Sequence, residues 1–430
     1  MRNEKLAWGI ALLLAFALAG CAQKYDDERD FETALIEGGE AVKITGYAGE
    51  KQEIRIPPKI GKAPVTAIGA QAFSEKQLTS AAIPHGVLVI EAGAFEKNQL
   101  TGMVIPDSVK TIEAGAFAEN QLTGVNIGKG VLVIEAGAFE KNQLTGVVIP
   151  DSVTVIENNA FADNQLTNAV IGNNVVDIME RAFINNQLTS VALGRSVTNI
   201  GAEAFFNNQL TDVTIPQSVT SIESRAFERN QLASVTIPDS VTTIRARAFA
   251  GNQLTKVTIG NKVASIGDDA FSNNKITALV IPHSVVYIGE NAFGHNQLTA
   301  LTIGNGVNNI RYAAFAHNKL TSVTIGNSVA DIGEEAFVEN QLTEVVIPDS
   351  VTTIGDYAFS NNQITTVTIG SGVNAIKYAA FAGNQLTSIT IGAGVAVWTS
   401  AIDNGFANFY IAQGSTAGTY TLNGGQWSLE

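Results

Sequence analysis

The sequence predicts a repeat solenoid that is β-rich with short helical turns and is built from 22-residue units. Three observations predict it: a Phe, an Asn and a Val-x-Ile alternation each recur with this period. The Phe column runs from Phe73 to Phe381, and fourteen units fill residues 78–385 without an insertion. Each coil is expected to pack on its neighbours, so length alone does not set the number of domains.

One unit illustrates what each repeat position does. In Val235-Thr236-Ile237 the alternation has the period of a strand with one buried face, so Val and Ile point inward. A Pro-Asp-Ser turn follows, then a second apolar pair and a helical turn that carries a Phe. The predicted inward positions are Leu232, Val235, Ile237, Val241, Ile244, Ala248 and Phe249. One coil cannot bury them, whereas stacked coils can.

An Asn column runs from Asn98 to Asn384. We expect each inward amide to hydrogen-bond turn backbone of its own coil and the next, because an unpaired buried polar group is costly.

The units follow the pattern Leu-x-x-Val-x-Ile-Pro-x-x-Val-x-x-Ile-x-x-x-Ala-Phe over roughly residues 54–400. This pattern resembles the BspA-like, treponemal type of leucine-rich repeat. The resemblance implies a surface-exposed, ligand-binding or adhesive protein. Two departures concern turn geometry: the family often carries Cys where this chain has the Asn column, and the unit here is one residue shorter.

Residues 1–20 are predicted to be a lipoprotein signal peptide. Arg2 and Lys5 form a charged start, residues 6–17 are apolar, and the ending at Cys21 is Leu-Ala-Gly-Cys. That ending resembles the bacterial lipobox, which implies cleavage before Cys21 and lipid attached to it.

Residues 21–30 then form a lipidated tether to the membrane. Ala22 in place of Asp resembles the sorting pattern of enteric lipoproteins and implies the outer membrane. The alternative, a membrane-spanning helix, would need about 20 apolar residues. Cys21 is the only cysteine, so no disulfide is expected in the mature domain.

A stack of coils exposes apolar layers at its ends, so caps are expected on both sides of a solenoid over residues 54–407. Residues 31–53 form the N-terminal cap, with a β-hairpin of 31–36 and 41–44.

Residues 408–430 are predicted to be a C-terminal β cap with strands at 408–411 and 419–429, the latter turning as a hairpin at Gly424-Gly425. In the last coil Trp398 is expected at the repeat's Ile position and Asp403 at its Phe position.

Charge and motifs exclude several functions. The formal net charge is -14, and removing Arg2, Glu4 and Lys5 with the signal peptide makes it -15. This argues against nucleic acid as a partner, because phosphate binding needs a basic surface. No clustered acid, base and nucleophile is found among the motifs, so neither catalysis nor a cofactor is expected.

A basic island in the middle coils is the first candidate ligand-binding site. Its members are Arg225, Arg229, Arg245 and Arg247. The alternative is that Glu223 and Glu228 neutralise it, since surface ion pairs are common.

Three tyrosines form the second candidate site. Tyr312 and Tyr378 share a column three coils apart, and Tyr357 lies one position over. They either anchor a partner or cover the flank of the solenoid.

His295, His317 and Glu339 share another column and are weak candidates for a metal site. Three solvated side chains are the alternative.

A column of like charges is formed by Glu91, Glu113, Glu135 and Glu157. Solvent with Lys97 or Lys141 is expected to relieve their repulsion, and a cation or a basic partner is the alternative.

The sequence thus predicts an adhesin or protein-binding module of the cell envelope, with a protein or host-surface ligand and no requirement for oligomers. A structural spacer or scaffold of the envelope is the alternative.

Overall fold

The computed structural model describes residues 24–430 as two compact units, 24–218 and 219–430. The predicted signal peptide and Cys21 lie outside the described residues. In each unit the chain winds in coils whose strands pair in parallel at an offset of 22 residues, as Val235 pairs with Val257. The predicted β-rich repeat solenoid is confirmed.

The first unit begins with an antiparallel hairpin of Phe31–Ile36 and Ala41–Tyr47, joined by a 3-10 turn at Glu37–Gly39. The second hairpin strand pairs in parallel with Ala63–Ile68. The hairpin therefore covers the first coil, as expected of an N-terminal cap.

Two parallel ladders follow in the first unit. The first ladder starts at Glu53–Arg55, and Lys59–Ile60 pairs with the strand that starts the second. Later strands of the first ladder are Ser80–Ala82, Gly102–Val104, Gly124–Asn126, Gly146–Val148, Asn168–Val170 and Ser190–Ala192. Those of the second are Val89–Ile90, Thr111–Ile112, Val133–Ile134, Val155–Ile156, Asp177–Ile178 and Asn199–Ile200.

The second unit repeats both ladders. Strands of the first ladder are Ser234–Thr236, Lys256–Thr258, Ala278–Ile281, Ala300–Ile303, Ser322–Thr324, Glu344–Ile347, Thr366–Ile369 and Ser388–Ile391. Those of the second are Ser221–Ile222, Thr243–Ile244, Ser265–Ile266, Tyr287–Ile288, Asn309–Ile310, Asp331–Ile332, Thr353–Ile354, Ala375–Ile376 and Ala396–Val397.

The seven predicted inward positions of the unit that starts at Leu232 are all buried. Phe rings stack from coil to coil inside each unit. From Phe73 to Phe205 the ring centroids are 4.9–5.4 Å apart with planes within 10°. Offset stacking of this kind adds to the burial of apolar area.

The Asn column is buried from Asn98 to Asn362 and half-buried at Asn384, and its amides are hydrogen-bonded, as Asn120 illustrates. Its Oδ1 accepts from the Leu100 amide at 3.1 Å, and its Nδ2 donates to the Phe95 and Phe117 carbonyls at 2.8 and 3.2 Å. Leu100 and Phe95 lie toward the N-terminus, so the neighbour that each Asn binds is the preceding coil and not the next.

The C-terminal cap differs from the prediction. Residues 408–411, expected as a strand, belong to a helix, Phe406–Ala412, that begins after a left-handed Gly405. The helix forms because Phe406, Ala407 and Tyr410 share one buried face, and the Tyr410 hydroxyl donates to the Gly392 carbonyl at 2.6 Å.

The hairpin predicted after this helix is confirmed. Gly418–Asn423 and Gln426–Leu429 pair antiparallel, and the first strand adds to Ser388–Ile391. The hairpin thus extends the last strand of the first ladder.

The last coil also corrects the expected places of Trp398 and Asp403. Ile376 pairs with Val397, at an offset one residue short of the repeat. Val397 is therefore the inward residue, Ile402 is buried in the next apolar place, and Trp398 is 51% exposed. Asp403 instead accepts a hydrogen bond from the Gly383 amide at 2.7 Å.

Among the described residues, every helix is too short or too polar to cross a membrane.

Candidate functional site

In every coil from that of Phe73 to that of Phe381, two positions adopt left-handed backbone angles, and both carry variable side chains. The first lies three residues after the second-ladder Ile and includes Arg225, Arg247 and Tyr357, with φ of 59°, 59° and 56°. The second lies two residues after the Phe and includes Lys97 and His295, each with φ of 55°. We call these the first and second left-handed columns.

This geometry turns the amide toward the following coil. The Arg247 amide donates to the Asp268 carbonyl at 2.8 Å, and the Lys97 amide donates to the Ala118 carbonyl at 3.0 Å. Sequence reasoning missed the left-handed conformation of these columns, although Gly, Asn and Asp, which tolerate positive φ, recur in both. The side chains of both columns project from fixed backbone.

The basic island is largely paired with carboxylates. The Arg247 guanidinium donates two hydrogen bonds to Glu228, at 2.9 and 3.2 Å, and Glu228 is only 3% exposed. Arg225 lies 3.4 Å from the same carboxylate, and Arg245 lies 3.4 Å from Glu223.

The contact with Glu228 also affects the titration of Arg247. The hydrogen bonds that Arg247 donates to Glu228 raise the pKa of Arg247 above its ordinary value. Glu223 and Glu228 therefore offset two of the four positive charges of the island. The remaining member, Arg229, lies in the second left-handed column.

The three predicted tyrosines lie in the second unit. Tyr312 and Tyr378 are 45% and 44% exposed, and Tyr357 is half-buried. Tyr357 and Tyr378 pack edge to face with centroids 5.3 Å apart. Tyr312 forms its own contact, a hydrogen bond with Glu335 that raises the pKa of its phenol.

Trp398 is an exposed aromatic residue that sequence reasoning placed in the core. Its amide donates to the Ile376 carbonyl at 3.1 Å, so its backbone lies beside Lys377, one residue before Tyr378. Tyr357, Tyr378 and Trp398 therefore come from three successive coils. The signal in the sequence was the segment Val395-Ala-Val397, which is one residue shorter than the Val-x-x-Ile of the other units.

The glutamate column is relieved by protein groups rather than by the predicted lysines. Glu91, Glu113 and Glu135 accept hydrogen bonds from the amides of Ala70, Ala92 and Ala114 at 3.0, 3.0 and 3.2 Å. Lys43 also donates to Glu91 at 3.0 Å.

Lys97 and Lys141 pair elsewhere. Lys97 lies near Glu75 and Glu96, and Lys141 bonds Glu119. Burial, followed by repulsion from Glu113 and Glu157, raises the pKa of Glu135.

A furrow of about 430 Å³ lies in the first unit beside this column. Gly93, Gly115 and Gly137 of the first left-handed column form part of its lining, together with Glu96 and Glu140. Burial raises the pKa of Glu140. The furrow exists because glycine leaves no side chain at these positions.

The histidine column forms a stack and one hydrogen bond. The His295 and His317 rings are 4.4 Å apart with planes 9° apart, and His317 Nδ1 lies 2.9 Å from Glu339. In residues 24–430 no group of three or more His, Cys, Asp and Glu side chains suits a metal ion. The three residues meet without forming such a group.

Comparison with known families gives a match to the BspA type Leucine rich repeat region, in six copies over residues 52–167, 154–277 and 264–390. The chain belongs to this family. The resemblance inferred from the repeat pattern is confirmed.

Solved structures share the leucine-rich repeat fold. A leucine-rich repeat protein from Bacteroides ovatus is 21% identical over 84% of this chain and 92% of its own, with a TM-score of 0.55. A leucine rich cell surface protein from Faecalibacterium prausnitzii is 22% identical over 82% and 96%, with a TM-score of 0.41. The pneumococcal vaccine antigen PcpA is 20% identical over 86% and 88%, with a TM-score of 0.39. The curated proteins contain no match to this chain.

Proposed function

We propose that this family member is a surface-anchored, non-catalytic binding module that acts as an adhesin for a protein or host-surface ligand. Lipid on Cys21 and the tether 21–30 would hold it to the outer membrane or cell surface after removal of residues 1–20. Domain bounds of 31–53, 54–407 and 408–430 belong to the same proposal. The match to the BspA-type leucine-rich repeat family supports this location.

The observation that carries the proposal is the exposure of Tyr312 and Tyr378, with Tyr357 packed against Tyr378, on a stacked frame. Tyrosine is enriched at the centres of protein interfaces because it buries a large area with few rotatable bonds. The frame keeps these rings in place before a partner arrives, which lowers the entropic cost of binding.

A structural spacer of the envelope is the second candidate function. The ion pairs that Arg225, Arg245 and Arg247 form with Glu223 and Glu228 favour it, because an island paired internally attracts an acidic partner less.

An adhesion assay distinguishes the adhesin from the structural spacer. Cells that display the full chain are measured on a panel of immobilised extracellular matrix proteins. We expect the variant Tyr312→Ser, Tyr357→Ser, Tyr378→Ser to adhere at least about tenfold less. A matched control is Val280→Ser with Val346→Ser, since these residues are 66% and 64% exposed in the same unit.

A quadruple alanine variant of the island tests the basic site. Its substitutions are Arg225→Ala, Arg229→Ala, Arg245→Ala and Arg247→Ala. No adhesion by the wild type to any protein of the panel would favour the spacer. Equal adhesion by the wild type and all variants would instead indicate that the protein adheres through another surface.

A further inference from the structure

We infer that Tyr357, Tyr378 and Trp398 form a docking strip for a proline-rich segment in the polyproline II conformation, with a basic residue next to its prolines. This deepens the proposed binding function and rests on it. We call these three residues the aromatic strip.

The strip presents one ring from each of three successive coils. Tyr357 and Tyr378 meet edge to face at 5.3 Å, which leaves a step between them rather than a flat platform. Trp398 is 51% exposed and lies in the coil after that of Tyr378. Its position in that coil is one residue earlier in the register than the position of Tyr378. Stepped aromatic rings form the grooves into which proline rings pack, whereas a flat platform suits stacking of a planar face.

The spacing of the strip fits the period of such a peptide. Polyproline II rises about 3.1 Å per residue with three residues per turn, so like faces recur roughly every 9 Å. Parallel strands lie about 4.8 Å apart, so Tyr357 and Trp398 are separated by roughly 10 Å along the coil direction. Prolines three residues apart can therefore contact the two outer rings while the peptide crosses Tyr378.

Negative charge next to the aromatic strip is the reason to expect a basic residue in the peptide. The coil before Tyr357 has no ring at this position and instead carries Glu334, which is exposed, and Glu335. On the far side of these carboxylates stands Tyr312, whose hydroxyl bonds Glu335. An Arg beyond the first proline would lie between two aromatic rings over two carboxylates, where it gains ion pairing and cation–π contact.

The partner also suits a preformed frame. A polyproline II segment has no internal hydrogen bonds and is already extended, so it loses little entropy on binding. It also leaves its carbonyls free to accept hydrogen bonds from groups at the edge of the strip.

The test uses the chain over residues 24–430 and a labelled synthetic peptide, Gly-Arg-Ser-Pro-Pro-Ala-Pro-Pro-Ala-Pro-Gly. Fluorescence anisotropy measures the binding. We expect saturable binding that weakens about tenfold or more in Trp398→Ala and in Tyr378→Ala. Replacing every proline of the peptide by alanine should abolish binding. Tyr25→Ala is the matched control, since Tyr25 is 54% exposed outside the strip.

A second pair of variants tests the basic residue. Glu334→Gln with Glu335→Gln should remove the advantage of the Arg-containing peptide over one with Ser in place of Arg, and leave binding of the Ser peptide unchanged. A melting curve for each variant checks that the fold is intact.

Absence of peptide binding to the wild type, or equal binding by wild type and Trp398→Ala, would overturn the inference. Binding of a cello-oligosaccharide that is lost in the same variants, without peptide binding, would also overturn it. If the peptide does not bind but the tyrosine-dependent adhesion described above persists, the docking inference fails and the proposed function stands.

Discussion

The Arg247 guanidinium forms a two-bond ion pair with Glu228, a carboxylate that is almost completely buried. The pair joins adjacent coils, because Glu228 follows Phe227 and Arg247 precedes Phe249. A basic group that looked available in the sequence thus helps to hold the coils together.

Removing this carboxylate is expected to destabilise the second unit. Glu228→Gln should lower the free energy of unfolding by about 1–2 kcal/mol, less than a fully buried pair would lose, because Arg247 is half solvated. Urea unfolding measures the change. Glu223→Gln serves as a control with an effect within about 0.5 kcal/mol, since its contact with Arg245 is exposed. Equal effects of the two changes would contradict this.

The Asn column should respond in the same assay. Asn120→Ala leaves the Leu100 amide without its side-chain partner and removes one of two hydrogen bonds to the Phe95 carbonyl, which Asn98 also donates to. The change is expected to cost about 1–3 kcal/mol. Asn126→Ala changes the same residue type at an exposed strand position and should be nearly neutral. An unaltered unfolding midpoint for Asn120→Ala would show that the amide is dispensable.

The left-handed columns predict a difference between two substitutions at one site. Gly115 has φ of 62°, and an added Cβ would meet only the Ala118 Cβ at 3.9 Å, which is an ordinary van der Waals distance. Gly115→Ala should therefore lower stability by about 1 kcal/mol through backbone strain alone. Gly115→Asn should cost less, because Asn tolerates this conformation. Thermal melting compares them, and the reverse order would refute the assignment.

The glutamate column predicts a pH-dependent effect. Because the folded pKa of Glu135 is raised, the stability linked to it is present below the unfolded pKa and is lost as pH rises through the folded value. Glu135→Gln should stabilise the protein by about 0.2–1 kcal/mol at pH 7, since it removes repulsion between stacked like charges.

The gain should vanish well below pH 4, where Glu135 is protonated in both states. Gln can still accept the hydrogen bond from the Ala114 amide. Urea unfolding at both pH values gives the comparison. A gain that persists at low pH would point to a cause other than charge.

Most of the fold could be predicted from the sequence because each inward position recurs many times. Val235, Ile237 and Phe249 are buried for the same reason in every coil. Each end of the solenoid occurs only once, so its secondary structure must be predicted from a single short segment and not from a repeated pattern. Residues 408–411 have strand propensity, but burial of Phe406 and Tyr410 on one face decides in favour of a helix.

The candidate site was less predictable for a different reason. The 22-residue spacing places Arg225 and Arg247 in adjacent coils, yet it does not show that both side chains contact Glu228. Trp398 was misplaced because one residue is missing from its coil, which shifts every later position. The repeat period does not show in which direction a side chain points. It also assumes a constant spacing, so it misplaces every residue after a single-residue deletion.

The most direct test of the central claim, a binding module displayed on the cell surface, is protease treatment of intact cells. Cells that produce the full chain are exposed to an external protease and the remaining protein is quantified, with a periplasmic protein as the internal control. We predict that the chain is degraded while the control survives. A chain that survives along with the control, and is degraded only after the outer membrane is opened, would contradict the proposed function.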